Sequence, residues 1–412
     1  MKQIGKSTEY SNINANKSKD KILNEKLFKE GYEYQKNGKL KEAEECYQYL
    51  INQGLKDPRL FSNLGAILIQ TSRSEQAITL LEETIRIYPD NHNAYSNLAI
   101  LFLNTGKINK AEILIRKSIE LRNDYPESYC TLGAILNKKG YHKDSELAIR
   151  KAIELKPNFL LAIFNLGIIL KDNRKTNEAE DCFRKVIQLN PNHGESYSLL
   201  GIILSELGRL NEAEDILRKA IKLRPNHAEN YFTISNIFSN HGKIEDAQSS
   251  LNKVIELNPN HSNAYCNLGN ILKDLRKYDK AVKVIKKSIN LNPNCAEAFC
   301  NLGAVLIELE ELEEAEEALI KSIDINPELF QAYANLGNIY TKQNKLDEAE
   351  LYIKKALKIN NNIAYINYQM SQLYCSRNNF NDAIIAIEKA INLEPENYLF
   401  KGELKRIRFL LE

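Results

Sequence analysis

Long apolar runs are missing from this chain of 412 residues. No stretch of about 18 consecutive apolar residues occurs, so we predict no direct insertion into a membrane. The first 21 residues are polar and have no apolar core, so we do not expect a secretory signal there. Glycine and proline are also scarce, at 17 and 10 residues. This scarcity argues against a low-complexity chain and favours a largely helical one.

The sequence also has no excess of positively or negatively charged residues. Lys and Arg together number 56 and Asp and Glu 54, which leaves a net charge of +2. Such a balance supplies no basic field for a nucleic acid or for an anionic lipid surface. We therefore expect no nucleic acid among the partners of this protein.

The cysteines show no pairing in the sequence. Their number is odd, and no two have the Cys-x-x-Cys spacing of a redox or metal motif. The seven are Cys46, Cys130, Cys182, Cys266, Cys295, Cys300 and Cys375. This pattern is typical of free thiols in a reducing compartment. We therefore predict a cytoplasmic protein.

The sequence also lacks the motifs of catalytic and metal sites. No GxGxxG, HExxH or GxSxG occurs, and the segment 5–7 has no room before it for a phosphate-binding loop. Three of the six histidines, His193, His227 and His261, recur at an even spacing in Pro-Asn-His turns. Residues spaced evenly along a repeating chain do not converge on one metal ion. We predict no catalytic residue, no metal site and no cofactor.

A strict 34-residue period is the main feature that the sequence does have. Ten steps of this length from Gly31 reach only Gly, Ala or Ser. These residues are Gly31, Gly65, Ala99, Gly133, Gly167, Gly201, Ser235, Gly269, Gly303, Gly337 and Ser371. A second series of small residues runs twelve positions later, from Ala43 to Ala383. Such a register over most of the chain indicates tandem repeats.

Each repeat has the pattern of two amphipathic helices. With Asn24 as position 1, positions 4, 7, 8 and 11 share one helix face, and positions 20, 24, 27, 28 and 30 form the apolar face of a second helix. The small residues at positions 8 and 20 let the two helices approach closely. Proline ends the second helix at position 32 in eight of the eleven repeats. Glycines such as Gly106 and Gly208 lie between the helices, where a left-handed C-cap is useful.

A single helical hairpin cannot bury its apolar face alone and must stack on its neighbours. The sequence thus predicts an all-α solenoid of eleven helix-turn-helix repeats over residues 24–397. The repeats start at residues 24, 58, 92, 126, 160, 194, 228, 262, 296, 330 and 364. Residues 1–23 are predicted to be a polar, disordered tail. Residues 398–412 are predicted to form a C-terminal capping helix.

The repeat resembles the tetratricopeptide repeat. The repeat matches the pattern of that family at six positions: an aromatic residue at position 4, Leu at 7, Gly or Ala at 8, Ala at 20 and 27, and Pro at 32. The segment 264–270 is close to the family consensus. The resemblance implies a right-handed superhelix in which the first helix of every repeat lines a concave groove. It also implies that the partner is a protein or an extended peptide, and that the repeats themselves are not catalytic.

Asparagines recur at positions that the resemblance places in the groove. Position 6 is Asn in six repeats, at Asn63, Asn97, Asn165, Asn267, Asn301 and Asn335. Position 9 is Asn in three repeats, at Asn236, Asn270 and Asn338. An amide side chain can both donate to a peptide backbone and accept from it. The row is similar to the asparagines in the repeat arm of O-linked N-acetylglucosamine transferase, whose catalytic domain has no counterpart in this sequence. Alternatively, the asparagines only satisfy polar groups of the repeats themselves.

Three other features bear on the partner. Phe164 and Phe232, at position 5, are either anchors in the groove or packing between neighbouring first helices. A run of acidic residues is either a solvated face or a docking patch for a basic partner, and its central members are Glu310, Glu311, Glu313 and Glu314. The carboxylate clamp of chaperone-binding repeats requires Lys at position 5, which no repeat has. We therefore do not expect chaperone C-terminal tails to bind.

The sequence therefore favours a non-catalytic, cytoplasmic scaffold or adaptor that holds a protein segment in its groove. Two alternatives stay open. In the first, the chain is the substrate-recognition subunit of a separately encoded glycosyltransferase or other modifying enzyme. In the second, it is an assembly factor for a multisubunit complex.

Overall fold

Helices make up nearly all of the computed structural model, which describes residues 22–411. The described residues form 23 helices joined by short turns, and no strand is found among them. They divide into two compact units, residues up to 200 and residues from 201 onwards, and the division falls inside one helix. Within the described range, no helix is both long enough and apolar enough to cross a membrane.

The first unit consists of helices that pair within successive repeats. The first helix, α1, covers residues 22–36. It is followed by α2 (Leu40–Asn52), α3 (Pro58–Gln70), α4 (Ser74–Ile87), α5 (His92–Asn104), α6 (Ile108–Leu121), α7 (Pro126–Lys138), α8 (His142–Leu155), α9 (Leu160–Asp172) and α10 (Thr176–Leu189). Helix α11 (Gly194–Glu206) contains the division between the units.

The second unit continues the same alternation of first and second helices. Its helices are α12 (Leu210–Leu223), α13 (Ala228–Asn240), α14 (Ile244–Leu257), α15 (Ser262–Asp274), α16 (Tyr278–Leu291), α17 (Ala296–Glu308), α18 (Leu312–Ile325), α19 (Phe330–Lys342), α20 (Leu346–Ile359), α21 (Ala364–Ser376), α22 (Phe380–Leu393) and α23 (Tyr398–Leu411). The predicted all-α fold, with paired helices and an extra C-terminal helix, is confirmed.

The first helices begin where the period of the sequence places the repeat starts. From α3 at Pro58 to α21 at Ala364, the first residue of each first helix is a predicted start. The N-terminal end differs from the prediction, because Ile22 and Leu23 are helical and do not belong to a disordered tail. Residues 1–21, predicted to be disordered, lie outside the described residues.

The turn inside each repeat depends on a left-handed residue at position 15. The φ angle there is +69° to +81° at Gly38, Gly106, Gly140, Gly208 and Gly242. It is +56° to +64° at Ser72, Arg174, Arg276, Glu310, Asn344 and Asn378. The left-handed caps predicted for the glycines are thus confirmed. The six other residues adopt a conformation that a side chain makes unfavourable.

Close contact between the two helices of a repeat explains the small residue at position 8. Ile149 is fully buried at position 24 and lies over Gly133. A Cβ atom on Gly133 would come within 2.5 Å of Ile149 Cγ1. Gly303 meets Leu319 in the same way in the second unit. The period in small residues therefore reflects a repeated packing contact.

Candidate peptide-binding surface

First helices of neighbouring repeats lie side by side within each unit. In the first unit, α3, α5, α7 and α9 contact one another in that order, and in the second unit α15, α17, α19 and α21 do so. We call the exposed surface of α15, α17, α19 and α21 the first-helix face. This is the surface on which the predicted groove positions of repeats eight to eleven lie.

The predicted asparagines are half-buried on the first helices, and the amide nitrogens of the six at position 6 donate hydrogen bonds within the scaffold. Asn97 Nδ2 donates to the backbone oxygen of Ser62 at 2.9 Å. Asn267 Nδ2 donates to Asn236 Oδ1, also at 2.9 Å. In both cases the acceptor belongs to the preceding repeat. These two asparagines therefore connect neighbouring first helices, whereas Asn63 donates to Tyr47 on the second helix of the preceding repeat.

Sulfur replaces oxygen as the acceptor in three repeats. Asn165 donates to Cys130 at 3.6 Å, Asn301 to Cys266 at 3.3 Å and Asn335 to Cys300 at 3.7 Å. Thiol sulfur is a weak acceptor. Burial raises the pKa of Cys130 to about 11 and that of Cys300 to about 12, so both stay protonated at neutral pH. These three hydrogen bonds therefore stabilise the repeats less than those to oxygen.

The scaffold contacts leave part of each amide group available. The side-chain oxygens of the six asparagines at position 6 accept no hydrogen bond from any residue in the range 22–411. Each Nδ2 also carries a second N–H, since an amide nitrogen has two donors. One donor serves the repeat stack, and one donor and the acceptor remain. The scaffold role and the peptide-binding role therefore do not exclude each other.

A polar cavity of about 330 Å³ opens on the first-helix face. Its lining comes from four consecutive repeats and includes Lys273, Ile307, Glu308, Asn335, Asn338 and Tyr365. Two of the nine predicted asparagines, Asn335 and Asn338, thus lie in one cavity. The others are placed along the first helices of both units, outside this cavity.

Donors, acceptors and one aromatic ring converge on the cavity. Lys273 Nζ donates to Asn270 Oδ1 at 2.9 Å, and Tyr278 OH donates to Glu308 Oε2 at 3.4 Å. The side chain of Asn338 makes no hydrogen bond with another described residue. Burial, and secondarily the charge of Glu308, raises the pKa of Tyr365, so its phenol is neutral at physiological pH. The arrangement offers paired donors and acceptors beside a half-exposed ring.

Sequence reasoning missed Lys273 and Tyr365 as members of this site. Both occupy groove positions, 12 and 2, but neither recurs in consecutive repeats. Tyr365 was recognisable as the only aromatic residue at position 2 among the eleven repeats. A search for recurring residues overlooks a residue of this kind, because its contribution is local.

The two phenylalanines at position 5 are not exposed anchors. Phe164 is buried, and its ring centroid lies 5.9 Å from that of Phe183 and 4.9 Å from that of His193. Phe232 is half-buried and lies 4.8 Å from His261. Phe164 therefore packs within the repeat instead of projecting into a groove, and its partners are the second helix and the following turn.

The acidic run lies at the turn between α17 and α18. Its side chains at Glu310, Glu311, Glu313 and Glu314 are exposed, and none forms an ion pair with another described residue. Carboxylates at the N-terminus of a helix interact favourably with the helix dipole. This local role accounts for the acidic residues in the first turn of α18. Docking of a basic partner there stays a prediction.

All the family models that match this chain describe the same kind of repeat. Models described as "Tetratricopeptide repeat" match residues 28–92, 80–113, 126–159, 159–226, 228–261, 262–295, 294–362 and 364–397. Together they cover most of the chain. Nothing in these matches bears on the predicted likeness to the transferase arm.

Solved structures with the same fold are distant in sequence. The Cut9–Hcn1 hetero-tetramer of the APC/C contains a chain with a TM-score of 0.52 and 12% identity, over 93% of this chain and 96% of that one. A tetratricopeptide repeat protein from Parabacteroides merdae has a TM-score of 0.52 and 17% identity, over 60% of this chain and 98% of that one. At these identities the likeness concerns the fold alone. Comparison with curated proteins gave no match.

Proposed function

Since the chain belongs to the tetratricopeptide repeat family, whose members mediate protein–protein interactions, we propose that it is a non-catalytic adaptor. It binds an extended segment of a partner protein on the first-helix face of the second unit. The seven cysteines are all free thiols, which suits the reducing cytoplasm. The observation that carries the proposal is the polar cavity shared by repeats eight to eleven.

The chemistry of the cavity suits a peptide backbone. An extended backbone presents N–H and C=O groups alternately, and each must be paired when it leaves water. The amide of Asn338 and the remaining donor and acceptor of Asn335 supply such pairs. Tyr365, with about half of its surface exposed, adds an apolar ring against which a partner side chain packs.

A paired substitution tests this site. Asn338→Ala with Tyr365→Ala removes the free amide and the ring without breaking a side-chain hydrogen bond of the scaffold. We expect partners captured by the wild-type chain to bind the double variant at least about tenfold more weakly, since about 1.4 kcal/mol corresponds to a factor of ten. Capture followed by titration of the captured protein measures this change.

A control on second helices keeps the result interpretable. Ile113 and Leu147 lie on second helices of the first unit and are 71% and 67% exposed. Ile113→Ala with Leu147→Ala removes comparable apolar surface away from the first-helix face. Equal binding by the wild type and the cavity variant would overturn the proposed site, whereas the control variant is expected to bind normally.

The row Asn267, Asn301 and Asn335 supports a second candidate function. In consecutive repeats it offers one acceptor per repeat, which suits a long substrate segment presented to a separate modifying enzyme. Asn267→Ala, Asn301→Ala and Asn335→Ala, combined, would then lower the rate of that enzyme on its substrate. A neighbouring gene for a glycosyltransferase or methyltransferase would identify the enzyme to assay. The assembly-factor alternative is tested instead by the loss of one particular complex in a deletion strain.

A further inference from the structure

The side chains at positions 5 and 34 of a repeat meet each other. Asn91 Nδ2 donates to Ser62 Oγ at 2.7 Å in the second repeat. His193 lies against Phe164 in the fifth repeat, with ring centroids 4.9 Å apart. His261 and Phe232 are 4.8 Å apart in the seventh. The repeat thus pairs one residue of the first helix with the residue that precedes the next first helix.

In the eighth repeat this pair consists of two cysteines. Cys266 occupies position 5 and Cys295 position 34, the two positions whose side chains meet in the second, fifth and seventh repeats. The two thiols are near enough to affect each other's pKa. Cys295 is the N-cap residue of α17. It follows the exposed residues Pro293 and Asn294 and is itself 9% exposed, whereas Cys266 is 4% exposed. The more accessible sulfur is therefore that of Cys295.

The surroundings of the two sulfurs give the two thiols different pKa values. The neighbouring Cys266 thiol lowers the pKa of Cys295 to about 7, against the effect of burial and of Glu297, whose Oε2 accepts a hydrogen bond from the Cys295 sulfur at 3.6 Å. The neighbouring Cys295 thiol and burial raise the pKa of Cys266. A thiolate is the form of cysteine that attacks oxidants. Cys295 thus suits the attacking role and Cys266 the resolving role.

We propose that Cys266 and Cys295 are a redox-active dithiol, which closes to an intramolecular disulfide when a hydroperoxide oxidises Cys295. The two cysteines do not line the polar cavity described above, and the proposal can be tested without any partner.

The two steps balance with hydrogen peroxide as the oxidant. The Cys295 thiolate attacks one peroxide oxygen, the O–O bond breaks, hydroxide leaves and Cys295 becomes a sulfenic acid. The Cys266 sulfur then attacks the Cys295 sulfur, the S–O bond breaks and the thiol proton leaves with the oxygen as water. In total the two thiols lose two electrons and two protons, and one peroxide becomes two waters.

Oxidation of the two cysteines also affects the asparagine row, because Cys266 accepts a hydrogen bond from one member of that row. Asn301 Nδ2 donates to the Cys266 sulfur at 3.3 Å. Formation of the disulfide moves this sulfur toward Cys295 and removes its hydrogen. Asn301 therefore loses or weakens its scaffold contact when the dithiol closes, and the middle member of the row changes its environment.

Peptide mapping of the full-length chain tests the proposal. The reduced protein is treated with a small excess of hydrogen peroxide, the remaining thiols are alkylated and the chain is digested with trypsin. We expect the peptide 254–273, which contains Cys266, to be joined to the peptide 288–321, with a mass lower by two hydrogens. A reductant should separate the two peptides again.

Because the second peptide holds both Cys295 and Cys300, variants must decide which sulfur reacts. We expect the link to persist in Cys300→Ala and to vanish in Cys295→Ser. It should also vanish in Cys266→Ser. Serine suits both places, since it is a preferred N-cap residue and occupies position 5 at Ser62 and Ser198.

Three results would overturn the proposal. The first is a link that survives Cys295→Ser but disappears in Cys300→Ala. The second is conversion of Cys295 to sulfinic acid with no link to Cys266. The third is a chain that forms only intermolecular disulfides, visible as dimers on non-reducing gels. Circular dichroism of each variant confirms that the helices are retained.

Discussion

Asn301 donates its side-chain N–H to the sulfur of Cys266, which lies one repeat earlier, at 3.3 Å. The same residue belongs to the predicted peptide-binding row, so one side chain holds the repeats together and is also proposed to contact a ligand with its remaining polar atoms. A loss of binding after its substitution therefore has two explanations. Binding and stability must be measured on the same variants. Asn338, whose side chain makes no hydrogen bond with a described residue, is the cleaner probe.

The scaffold role of the asparagines predicts a graded loss of stability. Asn97→Ala should lower the free energy of unfolding by about 1 kcal/mol, because a hydrogen bond to the backbone oxygen of Ser62 is lost. Asn338→Ala should change it by less than about 0.5 kcal/mol, as is usual for surface positions. Urea denaturation followed by circular dichroism measures both. Equal effects at the two positions would contradict this account.

The left-handed residue at position 15 predicts opposite signs for two substitutions. Arg174→Gly should raise the free energy of unfolding by about 0.5 kcal/mol, since the relief of a φ of +60° exceeds the entropic cost of glycine. Gly208→Ala should lower it by about 1 kcal/mol, because φ is +74° there. Thermal unfolding measures both changes. A lower melting temperature for Arg174→Gly would show that the Arg174 side chain stabilises the turn through other contacts.

The contact between positions 8 and 24 predicts a penalty for one added methyl group. Gly133→Ala should lower the free energy of unfolding by about 1–3 kcal/mol, since Ile149 must move. Gly402→Ala is the matched control, because its Cβ would meet no atom within 4 Å. That change should stabilise the chain slightly through helix propensity. The pair is compared by melting temperature, and similar shifts would refute the steric explanation.

A ladder of ion pairs connects second helices to the following repeat. Glu146 Oε2 lies 2.9 Å from Lys175 Nζ, and its Oε1 lies 2.9 Å from Arg150 of its own helix. The carboxylate at position 21 also reaches a base in the next repeat at Glu44, Glu112, Glu214 and Glu350. The hydrogen bond from Lys175, opposed by burial and reinforced by Arg150, lowers the pKa of Glu146 below its ordinary value of 4.5.

This ladder predicts a pH-dependent loss of stability. A lowered pKa in the folded chain means that the stabilisation is complete above about pH 4.5 and is lost as the pH falls through the lowered pKa. Glu146→Gln should therefore cost about 0.5–1 kcal/mol at pH 7, a range suited to half-exposed partners, and almost nothing at pH 3. Denaturation at both pH values measures the difference.

A more exposed ion pair on the same helix serves as its control. Glu154 lies 2.7 Å from Lys151, but 67% of its side chain is exposed. Glu154→Gln should have little effect at either pH, because water screens such a pair. If Glu154→Gln and Glu146→Gln change the free energy of unfolding equally at both pH values, the ion pair between repeats contributes no more stability than an ordinary surface ion pair.

The helices and their order followed from the sequence because the period acts on many residues at once. Small residues at position 8, prolines at position 32 and apolar faces at a helical spacing all agree, so the starts of the first helices from α3 to α21 were predictable. The N-terminal end was predicted less well. Ile22 and Leu23 precede the first full period, and only contacts with the rest of α1 decide whether they are helical.

The candidate site was predictable only in part. The sequence placed Asn335 and Asn338 on one surface, since positions 6 and 9 share a helix face. It did not indicate that Lys273, Glu308 and Tyr365 would line the same cavity, because these residues come from three different repeats and none of them recurs in consecutive repeats. It also left Phe164 undecided between groove and interior, and the interior position follows from contacts with the side chains of the second helix and the following turn.

By itself the sequence determined that this protein is a stack of helical hairpins with a fixed register, since each period places equivalent backbone positions in equivalent surroundings. The tertiary structure alone decided what each recurring side chain touches. Asn97 meets a backbone oxygen, Asn267 another amide and Asn301 a sulfur, because the acceptor belongs to the preceding repeat and differs there. The contact between Cys266 and Cys295 arose in the same way, since the fold joins positions 5 and 34, which lie near opposite ends of the repeat along the chain.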